Sequence, residues 1–293
     1  MKRPLFTGLC TALVTPFAED GVNYEMLERL IERQIAAGVD AIVLTGTTGE
    51  SPTLTREEKL EIYRRGVETA AGRCKILAGT GSNCTANAVA MSREAAELGV
   101  DGLLVVTPYY NKATQPGLVK HYRAICDAVE LPVLAYNVPS RTGVDIQPQT
   151  ALALAELPNL VGIKEASGDI VRVSRLCGAI PVYTGNDDQT VACMALGGSG
   201  VISVVSNVLP ELTLAMVRAA QSGEYPLAAA LQRKLLPLMD LMFCQVNPIP
   251  VKAAMKMIGY DCGDCRMPLD GLTAENEARL KKCLTENDCV RNN

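Results

Sequence analysis

The chain has 293 residues, of which 48% are hydrophobic, with 24 glycines and 16 prolines. This length and composition suit one large α/β domain, or one domain with a small extension, and they exclude a disordered chain. The formal net charge of −4 and the absence of any run of like charges exclude a nucleic-acid-binding arm.

Short apolar segments alternate along the chain with amphipathic helical patterns. The segments are continuous, as in parallel strands that are buried on both faces. The predicted strands cover residues 8–14, 40–44, 75–79, 102–106, 132–136, 160–164, 181–184 and 200–205. Between them, Leu27, Leu30 and Ile31 recur at helical spacing, and Thr55 with Glu58 predicts a capping box. Eight such units in succession favour a (β/α)8 TIM barrel of the α/β class.

The barrel pattern ends near residue 222, and a helical extension is predicted after it. Three helices are predicted over residues 225–243, 249–258 and 273–284. We therefore expect a catalytic barrel over residues 1–222 and a small C-terminal three-helix domain over residues 223–293.

The residues that follow each predicted strand are the candidates for an active site, because barrels of this type carry it at the C-terminal ends of their strands. These candidates are Thr45-Gly46-Thr47-Thr48-Gly49-Glu50, Thr107-Pro108-Tyr109-Tyr110, Tyr136-Asn137-Val138-Pro139-Ser140-Arg141 and Lys164. We expect them to converge at one mouth of the barrel.

Lys164 ends an apolar strand, where burying a lysine is costly unless it has a function. A desolvated amine can lose its proton and attack a carbonyl group, so the position indicates imine chemistry on a keto or aldehyde compound. The alternative is that Lys164 only marks the strand end and points to solvent, with Glu165 as an exposed partner.

Other strand-end residues suit the same chemistry. Glycines around Thr47 and Thr48 let backbone N–H groups and hydroxyls face a carboxylate. Tyr136 is placed to relay protons, and the planar guanidinium of Arg141 suits the carboxylate of a second substrate. Each has a structural alternative, because Gly-Thr-Thr-Gly also forms plain turns and Arg141 could be a solvated loop charge. The strand-end placement of all of them favours the functional interpretation.

Histidine and cysteine patterns give little support for a metal site. The single histidine, His121, is expected at the surface, which excludes histidine-based triads and histidine-rich metal sites. Cys262 and Cys265 with Cys283 and Cys289 would make four zinc ligands. However, Cys283 and Cys289 are separated by about 240° around a predicted helix, and this Cys-x-x-Cys lies outside any βα context. We therefore expect neither a metal nor thiol redox chemistry there.

The N-terminal residues lead directly into the first strand without a signal-like segment, and no stretch reaches membrane-spanning length. The 11 cysteines are odd in number and scattered through apparent core segments, which suits free thiols in a reducing compartment. We expect a cytoplasmic protein.

The chain resembles the dihydrodipicolinate (4-hydroxy-tetrahydrodipicolinate) synthases, a family of the pyruvate-dependent class I aldolase superfamily that includes N-acetylneuraminate lyase. The resemblance extends from Gly8 to the helical tail. Its motifs are Gly46-Thr47-Thr48-Gly49-Glu50, Gly79-Thr80-Gly81-Ser82-Asn83, Val106-Thr107-Pro108-Tyr109-Tyr110-Asn111, Tyr136-Asn137-Val138-Pro139-Ser140-Arg141-Thr142, Gly162-Ile163-Lys164-Glu165 and Asn247-Pro248-Ile249-Pro250. Arg141 and the second threonine, Thr47, suit the synthases better than the sialic acid lyases.

The resemblance implies condensation of pyruvate with L-aspartate 4-semialdehyde to 4-hydroxy-tetrahydrodipicolinate, the first committed step of lysine and diaminopimelate biosynthesis. Lys164 would form the pyruvate imine, with Tyr136, Thr47 and Tyr110 as proton relay. The family's tetramer, a dimer of dimers, would deliver Tyr110 to the neighbouring subunit's site. Thr48 would bind the pyruvate carboxylate and Arg141 that of the semialdehyde, while the pocket would be lined by backbone carbonyls of Gly185 and Ile202. The resemblance implies no metal or organic cofactor.

Two other functions remain open from the sequence. Another pyruvate-dependent aldolase, such as N-acetylneuraminate lyase or 2-keto-3-deoxygluconate aldolase, would share Lys164 and Tyr136 but would not need Arg141. A non-catalytic pyruvate-binding barrel would keep the Gly-Thr-Thr-Gly loop without the lysine or the tyrosine.

The chain departs from the family pattern at two positions that bear on regulation. Family members inhibited by lysine use, among others, a histidine on the helix after the Gly-Thr-Thr-Gly-Glu motif and a glutamate four residues beyond the Asn83 equivalent. Lys59 and Asn87 stand there in this chain. We therefore expect weak or no inhibition by lysine.

Overall fold

The structure, a computed structural model, describes residues 2–287. Its strands are β1 (Gly8–Ala12), β2 (Phe17–Ala18), β3 (Gly21–Val22), β4 (Ala41–Leu44), β5 (Lys75–Gly79), β6 (Gly102–Val106), β7 (Val133–Asn137), β8 (Leu160–Glu165), β9 (Val182–Thr184) and β10 (Gly200–Ser203). Its α-helices are α1 (Tyr24–Ala37), α2 (Arg56–Ala70), α3 (Thr85–Glu97), α4 (Gln115–Cys126), α5 (Pro139–Thr142), α6 (Pro148–Ala155), α7 (Ile170–Leu176), α8 (Thr190–Ala195), α9 (Pro210–Gln221), α10 (Tyr225–Leu241), α11 (Ile249–Met257) and α12 (Ala274–Glu286).

Within the described residues, the strands other than β2 and β3 form one closed parallel barrel. Neighbours follow the chain from β4 to β10, and β1 closes the ring by pairing with β4 and β10. The predicted (β/α)8 barrel is confirmed, and its strand ends lie within two residues of the predicted ends. The short β2–β3 hairpin was not predicted, because strands of two residues leave no periodic pattern.

Alternate residues of each strand face the inside of the barrel or the surrounding helices. On β5, Leu77 belongs to the inner apolar cluster, whereas Ile76 and Ala78 belong to the outer cluster beneath the helices. Phe6 and Tyr183 are also members of the inner cluster, with ring centroids 4.4 Å apart. The inside of the barrel is therefore a packed apolar core, as is typical of this fold.

The capping box predicted at the start of α2 is confirmed. The Thr55 N–H donates to Glu58 Oε2 (2.8 Å), and the Glu58 N–H donates to Thr55 Oγ1 (3.2 Å). These reciprocal bonds satisfy two backbone donors at the helix start and fix the direction in which α2 leaves the loop after β4.

The three predicted C-terminal helices are present as α10, α11 and α12. Leu235 on α10, Val251 on α11 and Leu280 on α12 are fully buried in the same outer cluster as the barrel helices. The boundary at residue 222 between two domains stays a prediction. Among the helices of residues 2–287, none is both long enough and apolar enough to cross a membrane.

Candidate active site

Lys164 and Tyr136 lie side by side at the C-terminal end of the barrel. They are direct partners in the β7–β8 register, and Lys164 Nζ lies 4.2 Å from the centroid of the Tyr136 ring. Lys164 is only 5% exposed, and no carboxylate of residues 2–287 lies within ion-pair distance of its Nζ. The interpretation of Lys164 as a solvent-facing strand end is therefore wrong.

Gly185 follows β9, the strand beside β8, and Ile202 lies on β10, the next strand of the barrel. A Cβ added at Gly185 would lie 2.8 Å from Lys164 Cε, so a larger residue at this position would clash with the lysine side chain. Ile202 is fully buried in the inner cluster that also contains Tyr136. Gly185 thus lies against Lys164, and Ile202 shares the inner apolar cluster with Tyr136.

Asp187 joins the two loops that follow Gly185 and Ile202. Its Oδ2 accepts the backbone N–H groups of Val204 (2.9 Å) and Val205 (3.0 Å). Burial raises the pKa of this carboxyl above its ordinary value. Asp187 was not among the predicted site residues, although it lies two positions after Gly185.

The residues that follow Tyr136 and Lys164 in the chain face outward and bind each other. Asn137 Nδ2 donates to both carboxylate oxygens of Glu165 (3.2 and 3.1 Å) and to Asp145 Oδ1 (2.9 Å). Burial raises the pKa of Glu165 above its ordinary value. This outer contact ties the ends of β7 and β8 together and so holds the two inward-facing side chains opposite each other.

The loop after β4, residues 45–50, is held closely against β5 and α2. Thr45 is left-handed (φ 51°), and its Oγ1 lies 2.6 Å from the Tyr63 hydroxyl, which donates to the Gly79 carbonyl (2.9 Å). A Cβ at Gly79 would lie 2.4 Å from the Thr45 carbonyl oxygen, so this approach requires glycine. Farther along the loop, the Gly49 carbonyl accepts from Thr15 Oγ1 (2.7 Å).

Glu50 ends this loop in a buried ion pair with the C-terminal region. It is left-handed (φ 54°) and 2% exposed, and its Oε1 lies 3.0 Å from Lys252 Nζ. Its Oε2 accepts the backbone N–H of Arg266 (2.9 Å), and Lys252 Nζ also donates to the Asp264 carbonyl (3.0 Å). The sequence did not predict this ion pair of Glu50, because its partner lies 202 residues away in the chain.

Asn247 contacts two of the predicted substrate-binding residues. Its Nδ2 donates to Thr48 Oγ1 (3.0 Å), and its backbone carbonyl accepts from Arg141 Nη2 (3.1 Å). Thr48 and Asn247 are both buried, at 2% and 5% exposed, whereas Arg141 is exposed. The C-terminal region therefore reaches the barrel mouth through this residue.

A cavity of about 580 Å³ opens beside these groups. Its walls include three of the predicted site residues, Thr47, Tyr136 and Arg141. The lining does not include Lys164, Thr48, Gly185 or Ile202, although Lys164 lies against the Tyr136 ring and Thr48 directly follows Thr47. The volume suits small-molecule substrates.

The far wall of the same cavity carries mostly basic and polar side chains. Arg56 is ion-paired with Glu94 through Nε and Oε2 (3.0 Å), whereas no carboxylate of residues 2–287 pairs with Lys59. Lys59 is half-buried, and burial lowers its pKa below the ordinary lysine value. Asn87 lines the cavity nearby.

Tyr110 is the predicted site residue that the chain itself does not bring to the others. It is 90% exposed and left-handed (φ 74°), in the loop after β6, and it does not line the cavity. Tyr109, one residue earlier, does line it.

The surface prediction for His121 is wrong. His121 is 4% exposed, its Nδ1 lies 2.9 Å from Thr85 Oγ1, and burial lowers its pKa to about 4. The signal was present in the sequence, because Leu118, His121, Tyr122 and Ile125 follow the i, i+3, i+4, i+7 pattern of one buried helix face.

The cysteines of the tail are poorly suited to chemistry. Cys262 is fully buried and donates its thiol to the Tyr260 carbonyl (3.4 Å), and burial raises the pKa of both Cys262 and Cys265 to about 12. Within residues 2–287, no cluster of His, Cys, Asp and Glu could hold a metal ion. Cys289, the fourth cysteine considered, lies outside the described residues.

Comparison with known proteins gives one consistent family. Residues 5–287 match the Dihydrodipicolinate synthetase family. The 4-hydroxy-tetrahydrodipicolinate synthase of Caldicellulosiruptor bescii is 49% identical over 96% of this chain and 97% of its own length. The dihydrodipicolinate synthase structure from Aquifex aeolicus superimposes with a TM-score of 0.95 at 43% identity, covering 98% of this chain and 100% of that one. A structure from Cyanidioschyzon merolae, with lysine bound, has a TM-score of 0.95 at 37% identity, covering 98% and 100%.

Proposed function

Because the chain belongs to the dihydrodipicolinate synthetase family, we propose that it is a lyase that condenses pyruvate with L-aspartate 4-semialdehyde. The product is 4-hydroxy-tetrahydrodipicolinate, in the first committed step of lysine and diaminopimelate biosynthesis. The observation that carries the mechanism is Lys164, a buried lysine whose Nζ lies 4.2 Å from the centroid of the Tyr136 ring.

The first half-reaction forms an imine at Lys164. Its neutral amine attacks the keto carbon of pyruvate, and the carbinolamine loses water to give the iminium. Protons must reach the departing oxygen, and Tyr136 and Thr47, which share the cavity wall, relay them together with Tyr110. Thr48 binds the pyruvate carboxylate, and the backbone carbonyls of Gly185 and Ile202 line the pocket.

The second half-reaction forms the new carbon–carbon bond. The iminium loses a methyl proton to become an enamine, whose carbon attacks the aldehyde of the second substrate. Arg141 holds the carboxylate of that substrate, since its guanidinium faces the cavity and its Nη2 is anchored on the Asn247 carbonyl. The substrate's own amine then displaces Lys164 as the ring closes, which regenerates the free lysine.

The assembly we propose is a homotetramer made of two dimers. Tyr110 supports it, because it is 90% exposed and does not line the cavity of its own chain. A neighbouring subunit would receive this tyrosine and complete its relay. We also propose a cytoplasmic location, which rests on free cysteines buried in the core, such as Cys10, Cys126 and Cys193.

A coupled assay with pyruvate and L-aspartate 4-semialdehyde, followed by the next reductase, tests the function. Borohydride reduction in the presence of pyruvate alone tests the mechanism, and it should add one pyruvyl mass to the peptide that carries Lys164. Substituting N-acetylmannosamine or glyceraldehyde for the semialdehyde separates this activity from those of the related aldolases. Label on another lysine would rule out the assigned nucleophile, and turnover with only the sugar aldehydes would rule out the substrate.

A further inference from the structure

Asn247 is the one residue in the described chain whose two polar contacts reach both proposed carboxylate sites. Its side-chain Nδ2 donates to Thr48 Oγ1 (3.0 Å), and its main-chain oxygen accepts from Arg141 Nη2 (3.1 Å). Thr48 lies 199 residues earlier in the chain, in the loop after β4. Two parts of one residue therefore serve two different sites.

The direction of the side-chain bond determines what the Thr48 hydroxyl can do. An NH₂ group only donates, so Thr48 Oγ1 must act as the acceptor in this bond. A hydroxyl carries a single proton, and the bond from Asn247 leaves that proton free to be donated elsewhere. A carboxylate only accepts, so a hydroxyl held in this way is prepared to bind one.

Asn247 also has an unsatisfied hydrogen-bond acceptor. Its Oδ1 is buried and has no partner among the described residues. An unpartnered buried acceptor destabilises the fold, and an apolar side chain would avoid this loss. Packing alone therefore does not explain an asparagine here.

We propose that Asn247 is a positioning residue that acts through Thr48 on pyruvate and, through its main chain, on the second substrate. Its amide turns the Thr48 hydroxyl proton toward the pyruvate carboxylate, and its carbonyl anchors the Arg141 guanidinium that binds the semialdehyde. The inference rests on the proposed function. It predicts that side-chain substitutions affect pyruvate far more than the semialdehyde, because every substitution keeps the carbonyl.

Three variants separate this role from a general loss of structure. Asn247→Ala removes the donor, and it should raise the pyruvate concentration needed for half-maximal borohydride trapping about tenfold. Asn247→Asp offers only acceptors and would take the Thr48 proton itself, so a larger rise is expected, about a hundredfold. The KM for the semialdehyde should change less than about threefold in Asn247→Ala, because the main-chain anchor remains.

Thr48→Val completes a double-mutant cycle. If Asn247 acts through Thr48, adding Asn247→Ala to Thr48→Val should leave the pyruvate dependence of trapping unchanged. Asn159→Ala is the matched control, since its amide donates to the carbonyls of Cys126, Val129 and Leu131 at the opposite end of the barrel. It should lower the thermal midpoint without changing the pyruvate dependence.

The outcomes distinguish the inference from the proposed function. Trapping in Asn247→Asp at the wild-type pyruvate concentration would show that Thr48 donates to Asn247, and additive effects of the two single variants would show that Asn247 acts by another route. Either result overturns the inference while wild-type turnover upholds the function. Absence of pyruvate trapping in the wild type would instead refute the function.

Discussion

The loop after β4 (residues 45–50) and the loop after β6 (residues 107–114) both border the cavity and both contain left-handed residues other than glycine. In the first loop these are Thr45 (φ 51°) and Glu50 (φ 54°), and in the second they are Tyr110 (φ 74°) and Lys112 (φ 47°). Such conformations cost about 1–3 kcal/mol each, and they persist where surrounding contacts determine them.

The chain's own contacts determine the β4 loop but not the position of Tyr110. Thr45 is bonded to Tyr63 and Gly79, and Glu50 is bonded to Lys252. The Tyr110 side chain is 90% exposed. The conformation of the β4 loop is thus fixed by contacts within one chain, whereas the β6 loop exposes Tyr110 at the surface. Substitutions in one loop or the other test this difference.

Tyr110→Phe should reduce turnover about 10²–10⁴-fold, because the variant loses one proton-transfer group and no hydrogen bond to residues 2–287. The thermal midpoint of the variant should stay at the wild-type value. Tyr225→Phe is the control, since Tyr225 is also a partly exposed tyrosine and lies on α10. Steady-state kinetics and a thermal melt check both expectations.

Mixing two inactive variants decides whether Tyr110 acts in a neighbouring subunit. Tyr110→Phe keeps Lys164, and Lys164→Ala keeps Tyr110, so a mixed dimer contains one complete site. Activity should return when the two are unfolded and refolded together. An active monomer in sedimentation, or no recovery in verified mixed dimers, would refute the role in trans.

Lys252→Met should lower the free energy of unfolding by about 3–5 kcal/mol, because it leaves the Glu50 carboxylate buried without its partner. The pair is nearly inaccessible, with side chains 3% and 1% exposed. Lys256→Met is the matched control, since the Lys256–Asp261 pair (3.8 Å) is solvent-exposed and should contribute at most about 1 kcal/mol. Urea unfolding measures both, and equal effects would contradict the account of the β4 loop.

Arg141→Ala should cost about 2–4 kcal/mol of transition-state binding for the semialdehyde while leaving pyruvate trapping nearly intact. Arg141 shares a property with each loop. It is exposed, like Tyr110, but it is also held by a hydrogen bond to the Asn247 carbonyl. Arg175→Ala, at an exposed position on α7, is the control. The ratio of kcat/KM values gives the loss, and unchanged efficiency with the semialdehyde would remove Arg141 from the site.

The sequence predicted the elements and the strand-end residues, because both leave local patterns. Continuous apolar segments predicted the barrel, and the positions of Tyr136 and Lys164 at two such segments predicted their approach, which the β7–β8 register confirms. The contacts of Thr48 with Asn247 and of Glu50 with Lys252 could not be predicted, since they join residues about 200 apart and leave no periodic trace. The wrong prediction for His121 has a different reason. Its residue type favoured the surface, whereas its position on the buried face of α4 favoured burial.

The smallest effect is expected from lysine added to the assay, with little or no inhibition at about 1 mM. The cavity wall beyond the β4 loop carries Lys59 without a carboxylate partner in residues 2–287, and Asn87 replaces a charge partner for the effector's ammonium. A cationic effector would lose hydration there and meet a like charge, and the Glu94 carboxylate on this wall is already paired with Arg56. The double variant Lys59→His/Asn87→Glu introduces the ligands of lysine-inhibited relatives and should become sensitive, whereas Lys120→His, on α4, should not. Half-inhibition of the wild type well below 1 mM would show that other residues supply the missing contacts.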